Sequence, residues 1–97
     1  MNNNDRTILD ARAVVPEHVL FQEVVGNSAL LNLETETYFG LDDVGTRMWE
    51  AVGAADSIAD AARSLADVYD APLETIERDL VKLVADLRRH GLLDLAE

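Results

Sequence analysis

The feature that most constrains this chain is a change in the spacing of its apolar residues near position 42. Before that point they form short runs rich in β-branched, aromatic and large aliphatic side chains, at 19–21, 24–25, 29–33 and 38–41. Such runs are typical of β-strands. After it, apolar residues recur every three or four positions, which is typical of amphipathic helices. The chain is therefore predicted to be an α+β protein, with strands first and helices second.

Turn residues separate the predicted strands. Gly26 and Asn27 fall where a tight hairpin needs a residue with positive φ, and the polar residues 34–36 supply a second turn. Three antiparallel strands are therefore expected. Residues 1–16 show no clear apolar period and are expected to form a loosely ordered N-terminal arm, with a single domain over residues 17–97.

Cap residues predict where three helices begin and end. Asp42 or Asp43 can cap the first helix, and Ser57 resembles the first residue of a capping box that opens the second. Pro72 falls where the first turn of the third helix tolerates it, and Gly91 is a suitable C-cap. Three N-terminal antiparallel strands followed by three helices indicate a winged-helix-turn-helix-like arrangement.

The third predicted helix carries the clearest apolar stripe. Its members follow one another at intervals of three and four residues: Leu73, Ile76, Leu80, Leu83 and Leu87. This spacing places them on one face, which is expected to pack on the core. Val84 lies on the shoulder of the stripe, with Val81 and Arg88 further round beside Glu77. These four residues are interpreted as either a binding surface or the margin of a broad core face.

Composition and charge exclude several classes of function. The formal net charge of −11 disfavours nucleic acid as a partner, because such binding depends on Lys and Arg contacts with phosphates. The absence of cysteine excludes disulfides and thiolate metal sites. Since the chain has neither an apolar run of about 18 residues nor the pattern of a signal peptide, no membrane association is expected and a cytoplasmic location follows.

Catalytic residues are not expected. His18 and His90 are far apart in the sequence, and neither has a partner at the spacing of a metal site or a catalytic triad. The carboxylates are scattered, so no catalytic pair can be assigned among them. The chain is therefore predicted to be non-enzymatic, without a cofactor or a metal ion.

The order of these motifs resembles the PqqD-like proteins, also called precursor-peptide recognition elements. Residues 30–49 contain an apolar strand, a polar turn, a Tyr-containing strand ending in Leu, and then Gly and Trp at a helix start. Apolar spacing at 58–69 and 79–93 also matches in order, so the resemblance covers residues 17–95. One departure is Glu36, because many relatives have Gly in the turn before the Tyr strand. A different type of turn is therefore expected there.

The resemblance implies a non-catalytic protein that binds the leader of a ribosomally synthesised precursor peptide. It would present the peptide to a maturation enzyme, either a radical SAM enzyme or a lasso-type leader peptidase. The implied groove lies between the third strand and the third helix, where an extended leader can add to an open strand edge. Carried onto this chain, the implied peptide-binding residues are Thr35, Glu36, Thr37, Tyr38, Phe39, Glu77, Val81, Val84 and Arg88.

Strand alternation distinguishes the two aromatic residues of the implied groove. Successive strand residues point to opposite faces, so one of Tyr38 and Phe39 is expected inside and the other outside. Leu41, two positions after Phe39, makes Phe39 the member expected in the core. Trp49 is also expected in the core, because its helix must cover the sheet.

Two alternatives stay open from the sequence. Asp56-Ser57-Ile58 resembles the site where acyl and peptidyl carrier proteins hold phosphopantetheine on serine, although carriers are all-helical and residues 19–41 are predicted as sheet. A winged helix can also bind DNA, although the basic cluster Arg88-Arg89-His90 lies only at a helix end. An open strand edge allows either a monomer or a strand-paired or swapped dimer.

Overall fold

The structure is a computed structural model that describes residues 3–96. Met1 and Asn2 of the predicted arm, and Glu97 of the predicted domain, lie outside the described residues. The elements follow in the order α1 (Asn3–Asp10), β1 (Arg12–Val14), β2 (Val19–Val24), β3 (Asn27–Asn32), β4 (Thr37–Leu41), α2 (Asp43–Ala54), α3 (Ile58–Val68), α4 (Leu73–Arg89) and β5 (Asp94–Ala96). The predicted α+β order of three strands followed by three helices is confirmed, with α1, β1 and β5 in addition.

The N-terminal segment differs from the expected loosely ordered arm. Residues 3–14 form α1 and β1, and Ile8 and Leu9 are buried in the hydrophobic core. α1 packs against α3 and α4, and β1 pairs antiparallel with β5 near the other end of the chain. The segment is too polar to show a helical period by itself. Its order comes from these long-range contacts.

β2, β3 and β4 form one antiparallel sheet in that order. The strand register places one row of apolar side chains on the face that the helices cover, namely Phe21, Leu30 and Phe39. The neighbouring row points to the opposite face and consists of Leu20, Leu31 and Tyr38. Trp49 of α2 is buried and stacks on Phe21 with ring centroids 6.1 Å apart, as expected for a core residue.

The turn between β2 and β3 lies one residue earlier than predicted. Val24 pairs with Asn27, so the two central residues of the turn are Val25 and Gly26. Their φ angles are +47° and +86°, the pattern of a type I′ turn that matches the twist of the flanking strands. Val25 is therefore a β-branched residue in the left-handed region, which is unfavourable for its side chain.

The predicted caps of the last three helices are present. The Gly45 N–H donates to Asp42 Oδ1 at 2.8 Å, so Asp42 caps α2. The Asp60 N–H donates to Ser57 Oγ at 3.0 Å, so Ser57 caps α3. Gly91 follows α4 with a φ of +70°, a conformation that suits a glycine at a helix end. Within the described residues, no helix is both long and apolar enough to cross a membrane.

The core face of α4 differs from the predicted stripe. Its buried residues are Ile76, Leu80, Val81, Val84 and Leu87, and Val84 has no exposed surface. Leu83 is only half-buried, and Leu73 is 38% exposed. Of the two interpretations of this margin, the broad core face is therefore the correct one for Val81 and Val84, which are buried rather than exposed at the implied groove. α4 packs against both α1 and α3, and contact on two sides widens the buried arc toward Val84.

Candidate functional site

β4 is an edge strand with one side open. Within residues 3–96 it pairs only with β3, so the backbone N–H and C=O groups along its outer side have no strand partner. Such an edge is a template for a further extended chain. Residues 37–41 can therefore hydrogen-bond another strand through the backbone.

The side chains of β4 alternate as predicted. Tyr38 is 77% exposed on the outer face of the sheet, whereas Phe39 is half-buried on the inner face and Leu41 is buried. The ring of Phe39 meets the ring of His90 edge-on, with centroids 5.4 Å apart. This contact shows that the end of α4 lies beside β4, so a strand and a helix form the two walls of a groove.

Asn32 joins the two walls at one end of the groove. Its side chain is buried, and Oδ1 accepts hydrogen bonds from the N–H groups of Glu34 at 3.0 Å and Thr35 at 3.2 Å. Its Nδ2 donates to the His90 carbonyl at 3.0 Å. Asn32 therefore holds both the turn before β4 and the end of α4. This role was not predicted from the sequence, although an Asn at the end of a strand is a known signal for this type of turn.

Glu36 adopts the backbone conformation that glycine adopts most easily. Its φ is +58°, and its N–H donates to the Asn32 carbonyl at 2.8 Å. The expected change of turn type is therefore not required, because a non-glycine residue takes the left-handed conformation at the cost of some strain. Thr35 and Thr37 share a hydrogen bond between their hydroxyls at 2.6 Å, which helps to order the start of β4.

His18 also links the end of α4 to the turn before β4. Its Nε2 donates to the Gly91 carbonyl at 2.9 Å, and its Nδ1 lies 3.6 Å from a carboxylate oxygen of Glu34. A cleft of about 490 Å³ opens here, with Thr35 and Thr37 on the strand side and Arg89 and His90 on the helix side. The groove therefore begins in a polar cleft at the C-terminal end of α4.

A second cleft lies further along α4, on the flank that carries His90. Asp86, Leu83 and Asp79 precede His90 at intervals of four, three and four residues and so share that flank. This cleft, of about 250 Å³, is lined by Met48 of α2 and by Asp79, Lys82, Leu83 and Asp86 of α4. The half-buried side chains of Leu83 and Met48 give the second cleft an apolar floor.

The structure brings only part of the predicted site together. Thr35 and Thr37 line the cleft and Phe39 meets the end of α4, whereas Glu36 lies in the turn before β4 and Tyr38 points to the outer face of the sheet. The predicted helix residues do not meet them. Val81 and Val84 are core residues, and helical period places Glu77 and Arg88 on the flank opposite Leu83 and His90. Apolar spacing identifies a helix face but does not say which margin of it borders a groove.

Charge is unevenly distributed along this flank. Lys82 is the single lysine of the chain and has no ion-pair partner among residues 3–96. Asp86, by contrast, pairs with Arg89. Lys82 is therefore a cation that remains available to a bound molecule. No cluster of three or more metal-binding side chains occurs in the described part of the chain.

Comparison with known proteins identifies one family and two solved structures that this chain resembles. The family model described as "Coenzyme PQQ synthesis protein D (PqqD)" matches residues 27–93. The solved structure "TbiB1 in Complex with the TbiA(beta) Leader Peptide" is similar at 30% identity, with a TM-score of 0.77 over 82% of this chain and 93% of that chain.

A second solved structure, "Lasso peptide synthetase B1 complexed with the leader peptide", shares the fold. It is 23% identical, with a TM-score of 0.78, and the match covers 87% of this chain and 99% of that chain. The comparison with curated proteins found no match.

Proposed function

Because the chain belongs to the PqqD family, we propose that it is a non-catalytic protein that binds the leader of a ribosomally synthesised precursor peptide. The observation that carries the proposal is the open edge of β4 beside the half-buried apolar flank of α4. Support comes from the 30% identical relative, whose structure is a complex with a leader peptide.

The leader is proposed to bind as a fourth strand beside β4. Backbone hydrogen bonds to residues 37–41 supply affinity that is largely independent of the leader's sequence. Selectivity then depends on the side chains that point into the groove. Apolar leader residues are proposed to pack against Phe39 and, in the second cleft, against Leu83 and Met48. There they lose contact with water.

Lys82, rather than the implied Arg88, is proposed to pair with a carboxylate of the leader. It lies beside Leu83 in the second cleft, and a leader carboxylate placed there gains a charge-assisted hydrogen bond. Arg88 is exposed on the other flank of α4, away from the edge of β4. Thr35, Thr37 and His90 line the polar end of the groove and are proposed to hydrogen-bond the leader there.

The proposed mechanism is an increase in effective concentration. A leader held in the groove keeps the rest of the precursor close to the maturation enzyme, so that modification becomes nearly intramolecular. The enzyme is a radical SAM enzyme or a lasso-type leader peptidase, and the protein itself supplies no catalytic group. This role places the protein in the cytoplasm, where ribosomal peptides are made.

A titration with leader peptides tests the proposal. Isotope-labelled protein is titrated with synthetic leaders from short precursor genes beside its own gene, and the amide shifts are followed by NMR. We expect micromolar binding, with shifts concentrated in residues 35–41 and 79–91. A scrambled leader of the same composition serves as the control. Failure of every neighbouring leader to bind, or equal binding of the scrambled peptide, contradicts the proposal.

A further inference from the structure

The outer face of the β2–β4 sheet is apolar and uncovered. Leu20, Leu31 and Tyr38 form one row across the three strands, and Leu20 and Tyr38 are 52% and 77% exposed. Val24, further along the same face of β2, is 62% exposed. Apolar side chains grouped on one face are typical of a surface that binds another protein, whereas single exposed apolar residues are ordinary.

This face lies within a segment that has no compensating positive side chain. No Lys or Arg occurs between residues 13 and 46, which include the whole sheet. The same segment carries six exposed carboxylates, namely Glu17, Glu23, Glu34, Glu36, Asp42 and Asp43. Arg47, just beyond the segment, pairs with Asp43, and His18 lies near Glu34. These carboxylates lie toward the two ends of the strands rather than on the outer face, so the uncharged apolar face is bordered at both ends by negative charge.

From these observations we propose that the outer face of the sheet is a docking surface for the peptide-modifying enzyme, which contacts it through an apolar patch bordered by Lys and Arg. The proposal rests on the proposed function, since that function requires such an enzyme as a partner. Charge complementarity favours a basic partner over a second copy of this chain, because two copies face to face would bring their carboxylates together.

The outer face includes β4, the strand beside which the leader is proposed to bind. A leader that adds beside β4 extends the sheet, and alternate leader side chains then lie on the outer face beside Tyr38. An enzyme docked on this face touches both the protein and the bound leader. It therefore binds the loaded protein more tightly than the free protein.

Surface variants far from the leader edge test the proposal. Leu20→Thr with Val24→Thr removes apolar contacts from β2 but keeps residues that suit a strand, and Gln22→Lys places a positive charge between them on the same face. The probe is the purified leader peptidase or radical SAM enzyme encoded beside this chain's own gene. Its affinity for the leader-loaded protein is measured by biolayer interferometry at low and high salt, and leader affinity is measured separately by fluorescence anisotropy.

Each variant has a matched control elsewhere on the protein. Val68→Thr trims an apolar residue of α3 that is 74% exposed, and Ser64→Lys adds a positive charge at an exposed position of the same helix. We expect enzyme affinity to fall by about tenfold in both sheet variants and to stay unchanged in both controls. Leader affinity stays within about twofold in all four variants. For the unaltered protein, enzyme affinity decreases as salt increases.

Two results overturn the docking surface. One is that the unaltered protein does not bind the enzyme, or that the sheet variants and the controls bind it equally well. The other is a dimer, detected by sedimentation velocity, that the double threonine variant abolishes, which assigns the face to a second copy. If the anisotropy measurement shows that the unaltered protein does not bind the leader, the proposed function is contradicted rather than the docking surface.

Discussion

The side-chain amide of Asn32 donates a hydrogen bond of 3.0 Å to the backbone carbonyl of His90, joining residues that are 58 positions apart in the chain. The same side chain accepts two N–H groups of the turn before β4. One buried side chain therefore sets the position of β4 relative to the end of α4, and with it the width of the groove.

Asn32→Ala tests this role. The substitution removes all four hydrogen bonds of a side chain that is 2% exposed, so we expect the free energy of unfolding to fall by about 2 kcal/mol. Leader affinity should fall as well, because the two walls of the groove lose their link. Urea denaturation and leader titration measure the two effects. Asn27→Ala, at an exposed Asn of the same strand, is the control, and equal effects of both substitutions contradict the prediction.

Adjacent residues of α4 should respond differently to the same substitution. Val84→Gln places an amide in the core, and we expect it to cost about 3 kcal/mol of stability. Leu83→Gln changes a half-buried residue on the groove flank, so the protein stays folded but binds its leader about tenfold more weakly. Circular dichroism with urea and leader titration separate the two results. A folded, non-binding Val84→Gln protein shows that the groove lies on the other flank.

Charge reversal on α4 distinguishes its two flanks. Lys82→Glu should weaken leader binding by about tenfold, because it replaces the free cation of the groove with an anion. Arg88→Glu makes the same change of net charge on the opposite, exposed flank and should leave leader affinity unchanged. Leader affinity is measured by fluorescence anisotropy at low salt. A leader with one carboxylate changed to Lys should restore binding to the Lys82→Glu protein, and the reverse ranking of the two variants contradicts the assignment.

The first hairpin turn offers a stabilising substitution. Val25 is almost fully exposed and has a φ of +47°, so its branched side chain is strained without any gain in packing. Val25→Asn creates the Asn-Gly pair that type I′ turns prefer, and we expect it to raise the free energy of unfolding by about 1 kcal/mol. Val24→Asn changes a neighbour in the strand and serves as the control, with no gain expected. Urea denaturation gives both values, and an unchanged stability for Val25→Asn contradicts the assigned strain.

Much of the fold follows from local patterns in the sequence. The strands are predicted by their short apolar runs, and the caps at Asp42 and Ser57 by the hydrogen bonds that such side chains make to nearby N–H groups. The alternation of Tyr38 and Phe39 follows from the geometry of a strand. The strand half of the candidate site is predictable for the same reason, since it occupies one continuous segment.

The helix half of the site and the N-terminal elements were not predictable in this way. The burial of Ile8 and Leu9 depends on α3 and α4, which lie far along the chain. Val84 resembles a margin residue in the sequence, and only the folded structure shows that it is completely buried.

The sequence by itself determined the type and order of β2–β4 and α2–α4, the side chains that cap the starts of α2 and α3, and the resemblance to the PqqD family. All of these depend on residues close together in the chain. Only the tertiary structure decided that His90 meets β4, that Leu83 and Lys82 line a cleft between α2 and α4, and that Val84 is buried. The physical reason is that a 3.6-residue period fixes the angles between side chains on a helix but not the rotation of the helix against its neighbours. That rotation is set by the packing of α1, α2 and α3, and the groove is the margin of α4 that their packing leaves exposed beside β4.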